Sequence, residues 1–184
     1  MNYALAKDNN PWYVIRLFSF RLKNVESFFE EKGLEYFVPM HYEDVLDENG
    51  HPHQVLKPVV GNLVFVKKTM TQNEMRAIVA ETEFKMSVYR KNQESSDYYE
   101  IPAKQMFDFQ MMCNPEMVNH KFMSEDEAKL KKGTPVLVKY GPLSGLTGKL
   151  VRSSKKYYLL KEVPGLAVML KVTRWCCVPI EEQS

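Results

Sequence analysis

The last third of the chain consists of short apolar segments with turn residues between them. From Gly133 onward the segments PVLVK, GKLVR, YYLLK, AVMLKV and CCVPI recur about every ten residues, separated by GPLSG, SSKK and PG. Five short strands at this spacing are typical of a small β-barrel. The sequence therefore predicts a five-stranded β-barrel domain over residues 133–183.

Strand and helix signals alternate in the first part of the chain. WYVIRLF is rich in aromatic and β-branched residues and predicts a buried strand, and the next segment predicts a helix that Asn24 caps and Gly33 ends. The pair Asn49-Gly50 marks the tip of a long hairpin. Thr71 and Glu74 have the spacing of a capping box at the start of a second helix.

A further strand follows that helix, and Pro102 can begin another helix. This order predicts an α+β sandwich over residues 11–114, in which helices pack on an antiparallel sheet. Residues 115–132 are polar, charged and weakly periodic, which predicts a linker, although Ser124 and Glu127 have the spacing to cap one short helical turn.

Composition places the chain among ordinary globular proteins, with 45% hydrophobic and 26% charged residues. The sequence contains neither an apolar run long enough for a membrane-spanning helix nor a secretory signal at its start. Its three cysteines are an odd number, which favours reduced thiols. We therefore expect a cytoplasmic protein that does not contact membranes.

Charge is distributed unevenly along the chain. Residues 133–184 hold eight Lys or Arg and three acidic residues, whereas the rest of the chain carries a net charge of −3. A basic C-terminal domain indicates nucleic acid or an acidic protein as partner. The segment RSSKKYY mixes basic and aromatic residues as single-strand-binding faces do. An ordinary hairpin with a solvated turn is the alternative and is favoured.

Three glycines, Gly141, Gly145 and Gly148, raise the question of a phosphate-binding loop. Their spacing is G-x-x-x-G-x-x-G, which differs from the nucleotide-binding patterns, and a strand is predicted after them instead of a helix. Turns between strands are the favoured interpretation, with Gly148 allowing a bulge or a close backbone approach.

The pair of histidines in HPH is too small a set for a structural zinc site. No local signature marks a catalytic nucleophile, so we expect no metal, no cofactor and no enzymatic activity.

Four segments together resemble the NusG family of transcription elongation factors. They are PWYVIRLFS, FVPMHYE, KPVVGNLVFVKKT and GTPVLVKYGPLSGLTGKLVR, and they occur in the family's order over about residues 11–182. The last of them is similar to the KOW motif, with its glycines at 141, 145 and 148.

The resemblance implies that the N-terminal domain binds RNA polymerase through a largely apolar contact. In the family this domain docks on the clamp helices, reaches the gate loop across the DNA cleft and favours processive elongation. The positions that match the clamp contact are Tyr13, Val60, Leu63, Phe65 and Tyr89, and those that match the gate-loop contact are Thr69 and Thr71. For Thr71 the role of helix cap competes and is favoured. Nontemplate DNA or a nascent RNA leader is a further expected partner, and the partner of the KOW domain is open.

Two departures from the family pattern favour a specialised paralogue. Gly61-Asn62-Leu63 stands where the family usually has a tyrosine, and the turn VPGL has proline where the general factor carries the aromatic residue that meets Rho or a ribosomal protein. Such paralogues of bacteria like Bacteroides antiterminate long operons, notably those for capsular and other surface polysaccharides. The alternatives are a general housekeeping NusG-like factor, an RNA- or ribosome-binding KOW protein, and an enzyme that uses Cys113 or a histidine.

Overall fold

The computed structural model describes residues 8–19, 21–117 and 119–181. The chain divides into two compact units, with the division between Met106 and Phe107. The predicted domain boundaries at 114 and 133 lie after this division, and residues 182 and 183 of the predicted barrel lie outside the described residues. None of the helices formed by the described residues is long and apolar enough to cross a membrane.

The described residues of the first unit form six strands and two helices, and a third helix crosses the division between the units. In chain order they are β1 (Trp12–Leu17), α1 (Leu22–Glu31), β2 (Tyr36–Phe37), β3 (Met40–Leu46), β4 (Pro52–Pro58), β5 (Leu63–Lys67), α2 (Gln72–Glu81), β6 (Met86–Val88) and α3 (Ala103–Met112). Four of the strands form an antiparallel sheet in the order β2-β5-β1-β6.

Helices α1 and α2 cover one face of this sheet. The apolar residues of α1 recur every three or four positions, which places Val25 and Phe29 on the side that faces the strands. Met75 of α2 packs into the same core, together with alternate residues of β1 and β5 such as Ile15 and Val64. This arrangement agrees with the expected α+β sandwich of helices on an antiparallel sheet.

Strands β3 and β4 form a separate two-stranded ribbon with Asn49-Gly50 at its tip. The carboxylate of Asp47 accepts hydrogen bonds from the backbone N–H groups of Asn49 and His51, both at 2.8 Å. Gly50 has a φ of 79°, which is the left-handed conformation that such a tip requires. The predicted hairpin is therefore present, and it closes through the side chain of Asp47.

The second unit contains one more strand than the sequence predicts. Its elements are β7 (His120–Met123), α4 (Glu125–Lys129), β8 (Gly133–Val138), β9 (Thr147–Ser153), β10 (Lys156–Val163), β11 (Leu166–Val172) and β12 (Cys177–Pro179), with a 3₁₀ turn at Arg174–Cys176. The six strands pair antiparallel in the order β12-β8-β9-β10-β11-β7. The five predicted strands are present as β8 to β12, β7 extends the sheet beyond β11, and among the described strands the order is linear.

The additional strand comes from the segment that the sequence predicts as a linker. Residues 120–123 pair with β11 in the register Leu170↔His120 to Ala167↔Met123. Helix α4 follows directly, and the Ser124 side chain and Glu127 form a capping box at its start. Ala128 of this helix is buried in the core of the second unit. Much of the segment 115–132, for which the sequence predicts a linker, is therefore paired or packed in the structure.

Candidate functional site

Strand β5 places two of the predicted polymerase-contact residues on one face of the first sheet. In the register with β1, Leu63 lies opposite Arg16 and Phe65 lies opposite Val14. Directly paired residues project to the same side, and successive residues alternate, so these four side chains share a face. The ring of Phe65 also lies 6.3 Å from the ring of Phe37 on β2. We call this side, which is opposite the one covered by α1 and α2, the β5 face.

Tyr89 joins the β5 face from the neighbouring strand. Its backbone N–H donates a hydrogen bond to the carbonyl of Val14 at 2.9 Å. The Arg16 guanidinium donates a hydrogen bond to the Tyr89 hydroxyl, and its central carbon lies 5.1 Å from the centre of the Tyr89 ring. Leu63, Phe65 and Tyr89 therefore belong to one surface, with a cation beside the tyrosine.

The central apolar residues of this face are covered in the structure. Leu63 is 3% exposed and Phe65 is fully buried, whereas Val60 and Tyr89 are only half-buried. Val60 lies just before β5, where the backbone bends ahead of the turn at Gly61 and Asn62. Of the positions that match the clamp contact, Val60 and Tyr89 are therefore more accessible than Leu63 and Phe65.

Tyr13 is not on the β5 face. It pairs with Val66, and both side chains belong to the core beneath α1 and α2. The Tyr13 ring is fully buried and makes an edge-to-face contact with Tyr98, with 5.6 Å between ring centres. Burial is the main cause that raises the pKa of its hydroxyl. Tyr13 therefore has a core position that is separate from Leu63 and Phe65.

The two threonines after β5 occupy different environments. Thr69 is exposed, and its backbone N–H donates to the carbonyl of Lys67. Thr71 is the N-cap of α2: its hydroxyl accepts from the Glu74 N–H at 3.3 Å, and its own N–H donates to the Glu74 carboxylate at 2.7 Å. The Thr71 N–H and the Thr71 hydroxyl, which donates to the same carboxylate at 2.8 Å, lower the pKa of Glu74 below its ordinary value of 4.5. The predicted capping box is confirmed.

Replacing Thr71 with alanine is expected to destabilise the first unit by about 1 kcal/mol, because the helix loses its side-chain cap. The lowered pKa of Glu74 means that the carboxylate's contribution is present above pH 4.5 and is lost as the pH falls through the folded-state value. The difference between variant and wild type should therefore shrink in acid. Urea denaturation at neutral pH and at about pH 3 measures it. Thr69→Ala is the control, and an equal loss in both variants would contradict the capping role.

Of the three glycines of the KOW-like segment, Gly141 and Gly145 shape the connection between β8 and β9, and Gly148 lies in β9. Gly141 and Gly145 have φ values of 88° and 91°, and the Gly145 N–H donates to the Val138 carbonyl at 2.8 Å. A Cβ atom on Gly148 would lie 2.6 Å from the carbonyl oxygen of Leu160 on β10. Strand β9, which follows, offers no helix N-terminus for a phosphate. These glycines therefore act through backbone geometry.

The described residues offer little support for a metal site or a reactive cysteine. Within them, no group of three or more His, Cys, Asp or Glu side chains is placed to hold a metal ion. Cys113 is fully buried, and burial raises the pKa of its thiol, which disfavours the reactive thiolate. His51 and His53 lie on the exposed ribbon of β3 and β4.

One buried polar cluster in the second unit was not anticipated from the sequence. The carboxylate of Asp108, which is fully buried, accepts hydrogen bonds from the hydroxyl of Thr147 at 2.7 Å and from Nζ of Lys161 at 3.3 Å. Lys161 also donates to the Thr147 hydroxyl at 3.1 Å. The sequence indicates this cluster only through a single aspartate in an apolar helical segment. The partners of Asp108 lie 39 and 53 positions later in the chain, so the sequence does not identify them. The cluster ties α3 to β9 and β10 and is structural in character.

A comparison with protein families gives a match to the model described as transcription termination factor NusG, over residues 10–110. A comparison with curated proteins found no match to the chain. The matched segment spans the whole of the first sheet, including the β5 face, and it contains more than half of the residues. The chain therefore belongs to the NusG family, whose members are transcription factors that act on elongation and antitermination.

Proposed function

We propose that this protein is a cytoplasmic antitermination factor that binds RNA polymerase through its first unit and bridges the DNA cleft. It would promote processive transcription of a specific operon, such as one for surface polysaccharide synthesis. The observation that carries the proposal is the family match over residues 10–110, which coincides with the unit that presents the β5 face. The activity requires neither a cofactor nor a catalytic group.

The β5 face supplies chemistry suited to the proposed contact with the clamp helices. Val60 and Tyr89 provide partly exposed apolar surface. Arg16, held against the Tyr89 ring, adds a positive charge that an acidic helix side chain of the polymerase could pair with. Leu63 and Phe65 are covered in the structure and support this face from within. Thr69 lies exposed just past the end of β5 and is the proposed contact with the gate loop.

The turn between β10 and β11 supports the assignment to a specialised paralogue. Pro164 and Gly165 form this turn, where the general factor presents an aromatic residue to Rho or a ribosomal protein. The Gly165 N–H donates a hydrogen bond to the Glu125 carboxylate at 2.7 Å, and Gly165 has a φ of 89°. The turn is therefore fastened to α4 by its backbone. We expect weak contact with Rho, and a strong stimulation of Rho-dependent termination in vitro would instead indicate the general factor.

Co-purification of RNA polymerase with the tagged full-length chain tests the docking site. Val60→Glu places a charge at the half-buried residue just before β5 and should reduce the polymerase recovered at least tenfold, because an apolar contact does not tolerate an unpaired charge. Leu63→Glu is less informative, since a charge at a nearly inaccessible position would also unfold the sheet.

Val45→Glu on the ribbon of β3 and β4 is the matched control, because Val45 is also a half-buried valine of the same unit. It should retain polymerase at the wild-type level. Circular dichroism of both variants checks that the fold is kept. Equal recovery with Val60→Glu and with wild type would refute the assignment of the site to the β5 face.

A further inference from the structure

Two large aromatic side chains of the second unit stack on each other at the surface. The rings of Tyr140 and Trp175 lie 6.1 Å apart with an angle of 28° between their planes. Trp175 is 72% exposed and Tyr140 is 57% exposed. Tryptophan is highly buried on average in folded proteins, so a stacked, solvent-exposed pair of aromatic rings indicates a binding surface.

A third aromatic ring lines the surface next to Trp175, and two arginine side chains lie against it. Tyr157 on β10 pairs with Arg152 on β9 and with Val172 on β11. The guanidinium carbons of Arg152 and Arg174 lie 5.9 Å and 5.8 Å from the centre of its ring. A groove of about 600 Å³ adjoins them, lined by Tyr157, Val172, Thr173, Arg174 and Trp175. Arg174 thus lines an open groove that has an aromatic wall, and the guanidinium group of Arg152 lies against the same tyrosine ring.

The strands that form this groove carry mostly basic residues. Residues 133–181 contain eight Lys or Arg and two acidic residues, Glu162 and Glu181. Two of the cations are engaged within the unit: Lys161 with Asp108, and Lys149 with Glu162 at 3.8 Å. The other six form no ion pair with a described residue, and they are Lys139, Arg152, Lys155, Lys156, Lys171 and Arg174. A polyanion is therefore the complementary partner.

We propose that the surface formed by Tyr140, Arg152, Tyr157, Arg174 and Trp175 binds single-stranded RNA. Bases stack on the exposed faces of Trp175 and Tyr140, and the arginines contact the phosphates along the groove. A single strand offers both flat bases and regularly spaced negative charges, which matches aromatic rings interleaved with cations. The choice of RNA rests on the proposed function, because the nascent transcript is the single strand that an elongating polymerase releases.

Fluorescence anisotropy of a labelled 12-nucleotide single-stranded RNA with the full-length chain tests this proposal. Trp175→Ala should weaken binding about tenfold, the effect of removing one stacked base. Phe18→Ala is the matched control, since Phe18 is an aromatic residue of the first unit that is 64% exposed, and it should bind as wild type does. Unchanged affinity of Trp175→Ala for the RNA would overturn the proposal, and an acidic protein would then be the partner that the surface favours.

The salt dependence of binding tests the role of the arginines. A plot of the logarithm of the association constant against the logarithm of the salt concentration has a negative slope. In the double variant Arg152→Ala/Arg174→Ala, the magnitude of this slope should decrease by about 1.4, which corresponds to two lost phosphate contacts. Arg90→Ala, an exposed arginine of the first unit, should leave the slope unchanged. Equal or tighter binding of a double-stranded RNA of the same length, whose bases are already paired and stacked, would overturn the assignment to a single strand. Polymerase is absent from this assay, so its outcome is independent of the docking test at Val60.

Discussion

Replacing Asp108 with alanine is expected to destabilise the second unit by about 3–5 kcal/mol. The carboxylate is fully buried and accepts hydrogen bonds from the N–H and hydroxyl of Thr147 and from the ammonium of Lys161. The Lys161 side chain is 12% exposed, so its charge would lose its closest counter-charge at a site where water can do little to replace it. Urea denaturation followed by circular dichroism measures the loss.

The double variant Asp108→Ala/Lys161→Met separates the lost charge pair from lost packing. Methionine removes the buried charge that the first substitution leaves behind, so the double variant should be more stable than Asp108→Ala alone. Asp126→Ala, an exposed aspartate of α4, is the control and should change stability by less than about 1 kcal/mol. If Asp108→Ala proves as mild as this control, the cluster does not hold the second unit together.

A second large effect is expected in the first unit, where Phe29→Ala should lower the free energy of unfolding by about 3–5 kcal/mol. Phe29 is fully buried on the inner side of α1, and its ring lies 5.8 Å from Phe28 and 6.1 Å from Tyr36. Truncation removes these contacts and leaves a cavity between α1 and the sheet. The measurement is again denaturation by urea.

Phe18→Ala provides the comparison for this substitution. Phe18 is the same residue type but is largely exposed just after β1, so its truncation should change stability by no more than about 0.5 kcal/mol. Similar losses in the two variants would show that α1 is not packed on the sheet as described.

Features that depend on neighbouring residues could be predicted from the sequence. The hairpin tip at Asn49-Gly50 and the capping box of Thr71 and Glu74 are both present, because their hydrogen bonds join groups only a few positions apart. The end of α1 at Gly33 also follows from local chemistry, since its φ of 66° suits glycine. The start of that helix lies at Leu22 instead of after Asn24, because the packing of its apolar face decides where the first turn forms.

Features that depend on distant partners could not be predicted. His120–Met123 is a strand because β11, more than forty positions later, pairs with it, and its four residues show no clear alternation by themselves. The separation of Tyr13 from Leu63 and Phe65 follows from the register between β1 and β5, which the apolar run WYVIRLF does not reveal. Asp108 likewise acquires its role only when β9 and β10 bring Thr147 and Lys161 to it.

Size-exclusion chromatography of purified core RNA polymerase mixed with the full-length chain tests the central claim most directly. If the chain is a polymerase-binding antitermination factor, it should co-elute with polymerase at a one-to-one ratio, and the Val60→Glu variant should elute alone. Elution of the wild-type chain apart from polymerase, under conditions where the chain is folded, would contradict the proposed function.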